Sequence, residues 1–287
     1  MWVVMALLSA LFAGLTAILS KMSVRSMDST VATAIRTTVV LAFAWLLAWM
    51  EGLCPRLSGL PARAYVFLAL SGLCTGGSWL CYFHALKLGP VSRVAAVDKS
   101  STVLTMLLAW VLLGEPLTWL KGLCILLIGL GTLMMLQPAQ GEAERPAGSA
   151  GWLAYAALSA LFAAMTAILA KIGIENVPSD LATALRTTVV LIMAWGMVAI
   201  GGKREQLRKV ERGDLRFLLL SGVATGLSWL CYYRALQEGP ASVVVPLDKL
   251  SIVITVAFSR IALKERLGRR ALAGLLLLVA GTVLLLV

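Results

Sequence analysis

The chain has 287 residues, of which 60% are hydrophobic and 14% charged, against about 25% charged in an ordinary soluble domain. A mean hydropathy of +0.91 excludes a water-soluble globular protein. The net charge of +11 sits in short loops between apolar runs, as in membrane proteins, and so argues against nucleic acid as a partner.

Apolar segments of about 18–22 residues, long enough to cross a bilayer core of about 30 Å, recur along the whole chain. In the first half they run near Val3–Ser20, Val31–Met50, Tyr65–Lys87, Ser92–Leu113 and Leu117–Leu136. The first is not read as a signal peptide. No basic residue precedes it, and its match at Trp152–Lys171 lies mid-chain. The second half repeats the series near Leu153–Ala170, Leu181–Ile200, Leu215–Gln237, Ala241–Leu263 and Gly268–Val287.

The two halves align without a gap. Ser9–Ala13 recurs as Ser159–Ala163, Arg36–Leu41 as Arg186–Leu191, Ser78–Tyr82 as Ser228–Tyr232, and Asp98-Lys99 as Asp248-Lys249. The reading is therefore an all-α integral membrane protein of ten transmembrane helices in two five-helix repeats. The first covers 1–137 and the second 152–287, with a linker over 138–151 rich in Pro, Gly, Glu and Ser. Five crossings per repeat and a short linker require the second repeat to be inverted. The loops holding Lys203–Arg216 and Arg260–Arg270 carry 11 Lys and Arg residues, whereas the matching loops of the first half hold only Arg56, Arg63 and Lys121, which predicts that the former are cytoplasmic and that both termini lie outside.

Charges inside apolar segments mark candidate binding residues, because each costs about 2.5–3.5 kcal/mol at the bilayer centre. Arg36 lies about 9 Å into the second helix. Asp98 is expected at a similar depth in the fourth, so the two can pair. Arg186 and Asp248 repeat the arrangement from the other surface. Lys99 and Lys249 are turned about 100° from the adjacent aspartates. Trp79 and Tyr82 share a helical face with Thr75 and Ser78, and Trp229 and Tyr232 repeat that face. Lining a cavity and ordinary helix packing both account for it. Gly72 with Gly76, and Gly222 with Gly226, have the spacing of close helix contacts. Pro246 would break the later fourth helix, whereas Ala96 stands at the matching place. Cysteines and the single histidine have no metal-ligand spacing, and neither H-E-x-x-H nor G-x-S-x-G occurs. We expect no catalytic residues, no metal and no cofactor.

Leu112-Leu-Gly-Glu-Pro-Leu-Thr118, Gly122, Gly129-Leu-Gly-Thr132 and Ala85–Ser92 resemble the drug/metabolite transporter superfamily, specifically its EamA-type repeats. The resemblance spans both halves. It implies ten helices around a central cavity, with Trp79, Tyr82 and Asp98 lining it, and transport of a metabolite or drug-like solute. The sequence departs from the family at Lys264-Glu265-Arg266, in the two Asp-Lys pairs, and in the predicted placement of the termini. The close match of the halves suggests fusion of a single-repeat protein.

These readings lead to a multi-pass protein of the cell membrane, expected in a bacterial inner membrane and functional as a single chain. It would carry a small polar solute by alternating access. A coupling proton is a further candidate partner. A flippase for a lipid-linked headgroup is the alternative, and a non-transporting scaffold has less support because it needs no inward charges. Lysines in the cavity would favour anions, whereas Arg–Asp pairs beside Trp faces would favour zwitterions or cations.

Overall fold

A computed structural model describes residues 1–23, 28–89, 91–135, 151–209, 212–262 and 268–286. The expected linker, apart from Gly151, lies outside them, as do Pro90 and Lys264–Arg266. In the first half the helices are α1 (Trp2–Ser23), α2 (Ser29–Met50), α3 (Ala62–Leu88), α4 (Val91–Lys99), α5 (Ser101–Leu113) and α6 (Trp119–Met135). The second half supplies α7 (Gly151–Gly173), α8 (Ser179–Ile200), α9 (Arg212–Glu238), α10 (Ala241–Asp248), α11 (Ser251–Ala262) and α12 (Arg269–Leu284). Among the described residues, eight helical stretches are long and apolar enough to cross a membrane, with α4–α5 and α10–α11 each forming one. The helices α6 and α12, of 17 and 16 residues, fall short of that length.

The segments expected as single fourth helices are broken in both halves, which corrects the sequence reading of Ser92–Leu113 and Ala241–Leu263. The expectation that only Pro246 would cause a break is also corrected. In the second half Pro246 lacks a backbone donor, and the turn tightens, with Lys249 N bonding Pro246 O at 3.1 Å and Leu250 N bonding Leu247 O at 3.0 Å. In the first half a serine does the equivalent work. Ser100 Oγ donates to Val97 O at 2.5 Å, a local side-chain bond that competes with the helix ladder. The breaks fall just after Lys99 in the first half and at Lys249-Leu250 in the second, each beside an Asp-Lys pair.

The second helices of the two halves meet antiparallel. Trp45 Nε1 on α2 donates to Thr188 Oγ1 on α8 at 3.2 Å, and Trp195 Nε1 donates back to Thr38 Oγ1 at 3.1 Å. Two turns forward on α2 are thus two turns back on α8. The first helix of each half packs along the third helix of the other. Ser9 on α1 faces Ser228 on α9, and Ser159 on α7 faces Ser78 on α3. Glycines permit these close approaches, as is usual between helices in lipid. A Cβ at Gly72 would lie 3.0 Å from the carbonyl of Arg186 on α8, and one at Gly222 would lie 3.2 Å from that of Arg36 on α2. Neither half is complete without the other.

The outer surface is apolar. Leu126, Leu133, Ile192 and Leu276 are exposed along the helices, and Trp49 and Trp119 are exposed near helix ends, as residues meeting lipid and its interface should be. Asp28, ahead of α2, bonds Lys203, just after α8, at 2.8 Å, so α1 and α8 end on one face, called here the basic face. At the opposite face a large buried cluster closes the bundle. It combines Leu68 with Ile168, Ile174, Tyr233, Leu236, Val244 and Leu247. On the basic face the clusters are smaller: Ala85, Val94 and Ala156 with Tyr82 and Trp152 against them, and Val31, Ala34, Ala194, Met197 and Val198 between α2 and α8.

Candidate functional site

The cavity between the halves measures 280 Å³, and Trp79, Arg186, Trp229, Tyr232, Tyr233, Asp248 and Lys249 are among its lining residues. Arg186 dominates it. Its side chain enters from the first half of α8 and is 3% exposed. Nε donates to Ser71 Oγ at 3.0 Å and Nη2 to Thr75 Oγ1 at 2.6 Å. The guanidinium carbon sits 5.1 Å from the Trp229 ring centroid and 5.0 Å from that of Tyr233, within the range of a cation–π contact. Nη1, however, is buried without a hydrogen-bond partner. A buried donor left unmade costs about 1–3 kcal/mol, more when it is charged.

The aspartates have a different role from the one expected of them. No ion pair joins Arg36 to Asp98 or Arg186 to Asp248 among the described residues, which corrects the predicted pairing. Each acid is held instead by the first helix of the other half. Ser9 Oγ donates to Asp248 Oδ1 at 2.6 Å, and Ser159 Oγ donates to Asp98 Oδ1 at 2.7 Å. Arg36 Nη1 donates to Ser20 Oγ at 3.0 Å, and that hydroxyl contacts Ser221 Oγ at 2.9 Å. Hydroxyls thus satisfy these groups without a bare counter-charge in the bundle.

Of the ten candidate residues, the structure brings Trp79, Arg186, Trp229, Tyr232, Asp248 and Lys249 to the central cavity. Arg36, Tyr82 and Asp98 stand away from its lining. Tyr82 packs edge-on to Phe83, with ring centroids 5.9 Å apart, and joins the small apolar cluster on the basic face. Lys99 lines a second cavity, of 320 Å³, which Lys249 shares.

Sequence reasoning missed Tyr233, Ser9, Ser159 and Glu115. Comparing the halves offers a signal for the first, since Phe83 stands where the second half has Tyr233, and an added hydroxyl in one copy marks a difference in role. Ser9 and Ser159 head the repeated Ser-Ala-Leu-Phe-Ala stretch. Glu115 follows Gly114, whose left-handed turn (φ 67°) ends α5. Its carboxylate accepts from Ala241 N at 2.6 Å, from Ser242 N at 3.0 Å and from the Ser242 hydroxyl, capping the N-terminus of α10. Such a cap places negative charge at the positive end of the helix. Nearby, Lys171 Nζ donates to the carbonyls of Leu236 (2.6 Å) and Gly239 (2.8 Å) at the end of α9. These bonds tie α10 to the end of α5, and α7 to the end of α9, at the opposite face.

Two halves that interlock around a cavity lined by charged and aromatic side chains suit a membrane carrier. The chain belongs to the EamA-like transporter family, whose model matches residues 1–137 and again 150–287, and it is a multi-pass membrane protein. An uncharacterized transporter of Sinorhizobium sp is 44% identical over 137 residues, 48% of this chain and 97% of that relative. The relative thus has the length of one half. An uncharacterized transporter of Archaeoglobus fulgidus is 25% identical over 72% of this chain and 70% of its own. A probable 4-amino-4-deoxy-L-arabinose-phosphoundecaprenol flippase subunit of Pseudomonas aeruginosa is 36% identical over 32% of this chain and 74% of its own. A solved structure, described only as a crystal structure of protein, superposes with a TM-score of 0.78 at 18% identity over 99% of this chain and 96% of its own. It shares the fold.

Proposed function

We propose that the chain is a secondary transporter of ten transmembrane helices in two inverted repeats, carrying a small polar solute by alternating access. The observation that carries this reading is Arg186, whose Nη1 lacks a partner while the rest of its guanidinium is fixed by Ser71, Thr75, Trp229 and Tyr233. A rigid, unpartnered donor in the side chain that lines this cavity is arranged for a ligand that brings an acceptor. Tyr232 and Trp229 supply faces for the rest of the solute, and Asp248, on the same cavity, is the candidate for its donor group or for a coupling proton.

The antiparallel pairing of α2 with α8, and the reciprocal packing of α1 on α9 and α7 on α3, support inversion. In an inverted pair, equivalent elements exchange roles when the carrier switches. The bonded Glu115 and the large apolar cluster correspond to a state closed at the opposite face. The Lys and Arg excess on the basic face argues for a cytoplasmic placement of that face.

A flippase for a lipid-linked headgroup is the second reading. It is favoured by the match to the Pseudomonas aeruginosa flippase subunit over 91 residues. Uptake from a panel of radiolabelled metabolites into proteoliposomes, alongside flipping of a fluorescent phospholipid-linked sugar, separates the two. Flux of soluble solutes that depends on Arg186 supports the first reading. Headgroup flipping without it supports the second, and neither activity in a folded preparation rejects both.

A further inference from the structure

Lys99 and Lys249 occupy equivalent positions in the two halves, yet both reach the same 320 Å³ cavity, walled by residues of α1, α5, α6, α11 and α12. This space is separate from the Arg186 chamber, with Lys249 at the boundary. Lys99 is exposed to it and Lys249 is half-buried. Neither ammonium has a hydrogen bond or ion pair among the described residues. The neighbouring acids do not neutralise them at contact distance, because Asp98 and Asp248 are held by Ser159 and Ser9. Much of the wall is aliphatic, including Ile128, Ile252 and Leu278, with Thr132 and Thr255 between.

Two like charges that reach one largely apolar cavity repel each other. Lysine binds oxyanions as a point charge with three donors, so two facing lysines can share one group with several acceptor oxygens. We propose that this cavity is a phosphate site in which Lys99 and Lys249 bind one phosphoryl group between the halves. The group is carried either by a soluble phosphorylated solute or by a lipid headgroup. The break in each fourth helix sets the site's position. It places each lysine at the end of a short helix, turned from its aspartate, so that the acid serves the inter-half serine contact and the base serves the cavity. The inference goes beyond the transport reading and is tested without any flux measurement.

The full chain is reconstituted in phosphatidylcholine nanodiscs and its thermal unfolding midpoint is measured. Inorganic phosphate is added in one arm, and phosphatidic acid is included in the nanodisc in the other. In at least one arm the midpoint rises. Lys99→Gln and Lys249→Gln each abolish the rise, Lys99→Arg with Lys249→Arg keeps it, and Arg186→Gln keeps it as well. Without ligand, each Gln variant unfolds at a higher temperature than the parent, because repulsion is relieved; a purely structural lysine would give the reverse. A rise with inorganic phosphate identifies a soluble source, and a rise with phosphatidic acid alone identifies a lipid. No rise in either arm, a rise that survives the double Gln variant, or a rise lost equally in Arg186→Gln overturns the proposal. Arg186-dependent solute flux is a separate readout, so failure here leaves the transport reading standing.

Discussion

The guanidinium of Arg186 stacks over Trp229 at 5.1 Å while Nη1 of the same group bonds nothing, so one residue is both clamped and unsatisfied. The clamp fixes the direction of the free donor. Arg186→Lys keeps the charge but loses the planar stack and the fork of donors. We therefore expect its solute affinity to fall by about 10–100-fold, the equivalent of about 1.5–3 kcal/mol for one hydrogen bond to a charged group. Arg186→Ala is expected to lose flux altogether, and Trp229→Ala to weaken binding less than Arg186→Lys. The check is the concentration dependence of uptake in proteoliposomes. Equal uptake by the Lys variant and the parent would remove Arg186 from the binding site.

Glu115 holds α10 against the end of α5 through two backbone N–H groups and one hydroxyl. Glu115→Ala leaves that helix end uncapped, which costs about 0.5–2 kcal/mol. That shifts the balance toward opening at the opposite face by about 2–30-fold. A cysteine at Thr75, in a background lacking the five native cysteines, reports the change through labelling by a membrane-impermeant maleimide. Faster labelling from the opposite face is expected in Glu115→Ala, with Glu115→Gln between it and the parent. An unchanged rate would show that this cap does not control access.

Most of the helices could be placed from the sequence because transmembrane segments are marked by length and apolarity. The repeat stood out because Arg36–Leu41 and Arg186–Leu191 are identical. The helix breaks were missed in part because their causes differ. Pro246 is conspicuous, whereas Ser100 acts through a side-chain bond to Val97 that any exposed serine could also make. Equal depth and inward polar faces predict an Arg36–Asp98 pair. Depth fixes the level of a side chain but not the neighbour across from it, and that neighbour turned out to be α1 for Arg36 and α7 for Asp98. Such cross-half partners have no spacing signature, since Ser159 and Asp98 meet only after the halves interlock.

Two glycine substitutions separate close approach from mere helix composition. A Cβ at Gly131 on α6 would come within 2.6 Å of Gly274 O and Leu278 N on α12, and backbone cannot move aside as a side chain can. Gly131→Ala is expected to lower stability by about 1–3 kcal/mol, as overpacking does, and to loosen α6 from α12. A Cβ at Gly196 in α8 would meet nothing within 4 Å. There Ala improves helix propensity by about 0.5–1 kcal/mol. Thermal unfolding in detergent should move in opposite directions for the two variants. A drop for Gly196→Ala would mean that its open surface is covered in the assembled membrane protein.

Asp28 gives a pH-dependent test outside the membrane segments. Partial burial pushes its carboxyl up. The bonds from the Lys203 ammonium and from Thr30 outweigh this and hold it below the usual carboxylate value. A folded value below the unfolded one means that the group stabilises the fold above the unfolded pKa of about 3.9, and that this contribution is lost as pH falls through the folded value. Lys203 and Asp28 are about a quarter exposed, with side-chain values of 27% and 26%, so the pair contributes no more than about 1 kcal/mol. Asp28→Asn should therefore lower the unfolding midpoint slightly at neutral pH. The difference from the parent should shrink as pH drops below about 4. Added salt should reduce the same difference at neutral pH, since exposed pairs are screened. A difference that persists unchanged in acid would show that the ion pair is not its source; the N-cap of α2 is preserved in the variant, since the bond that Asp28 Oδ1 accepts from Thr30 N at 2.8 Å is one that the amide oxygen of Asn can also accept.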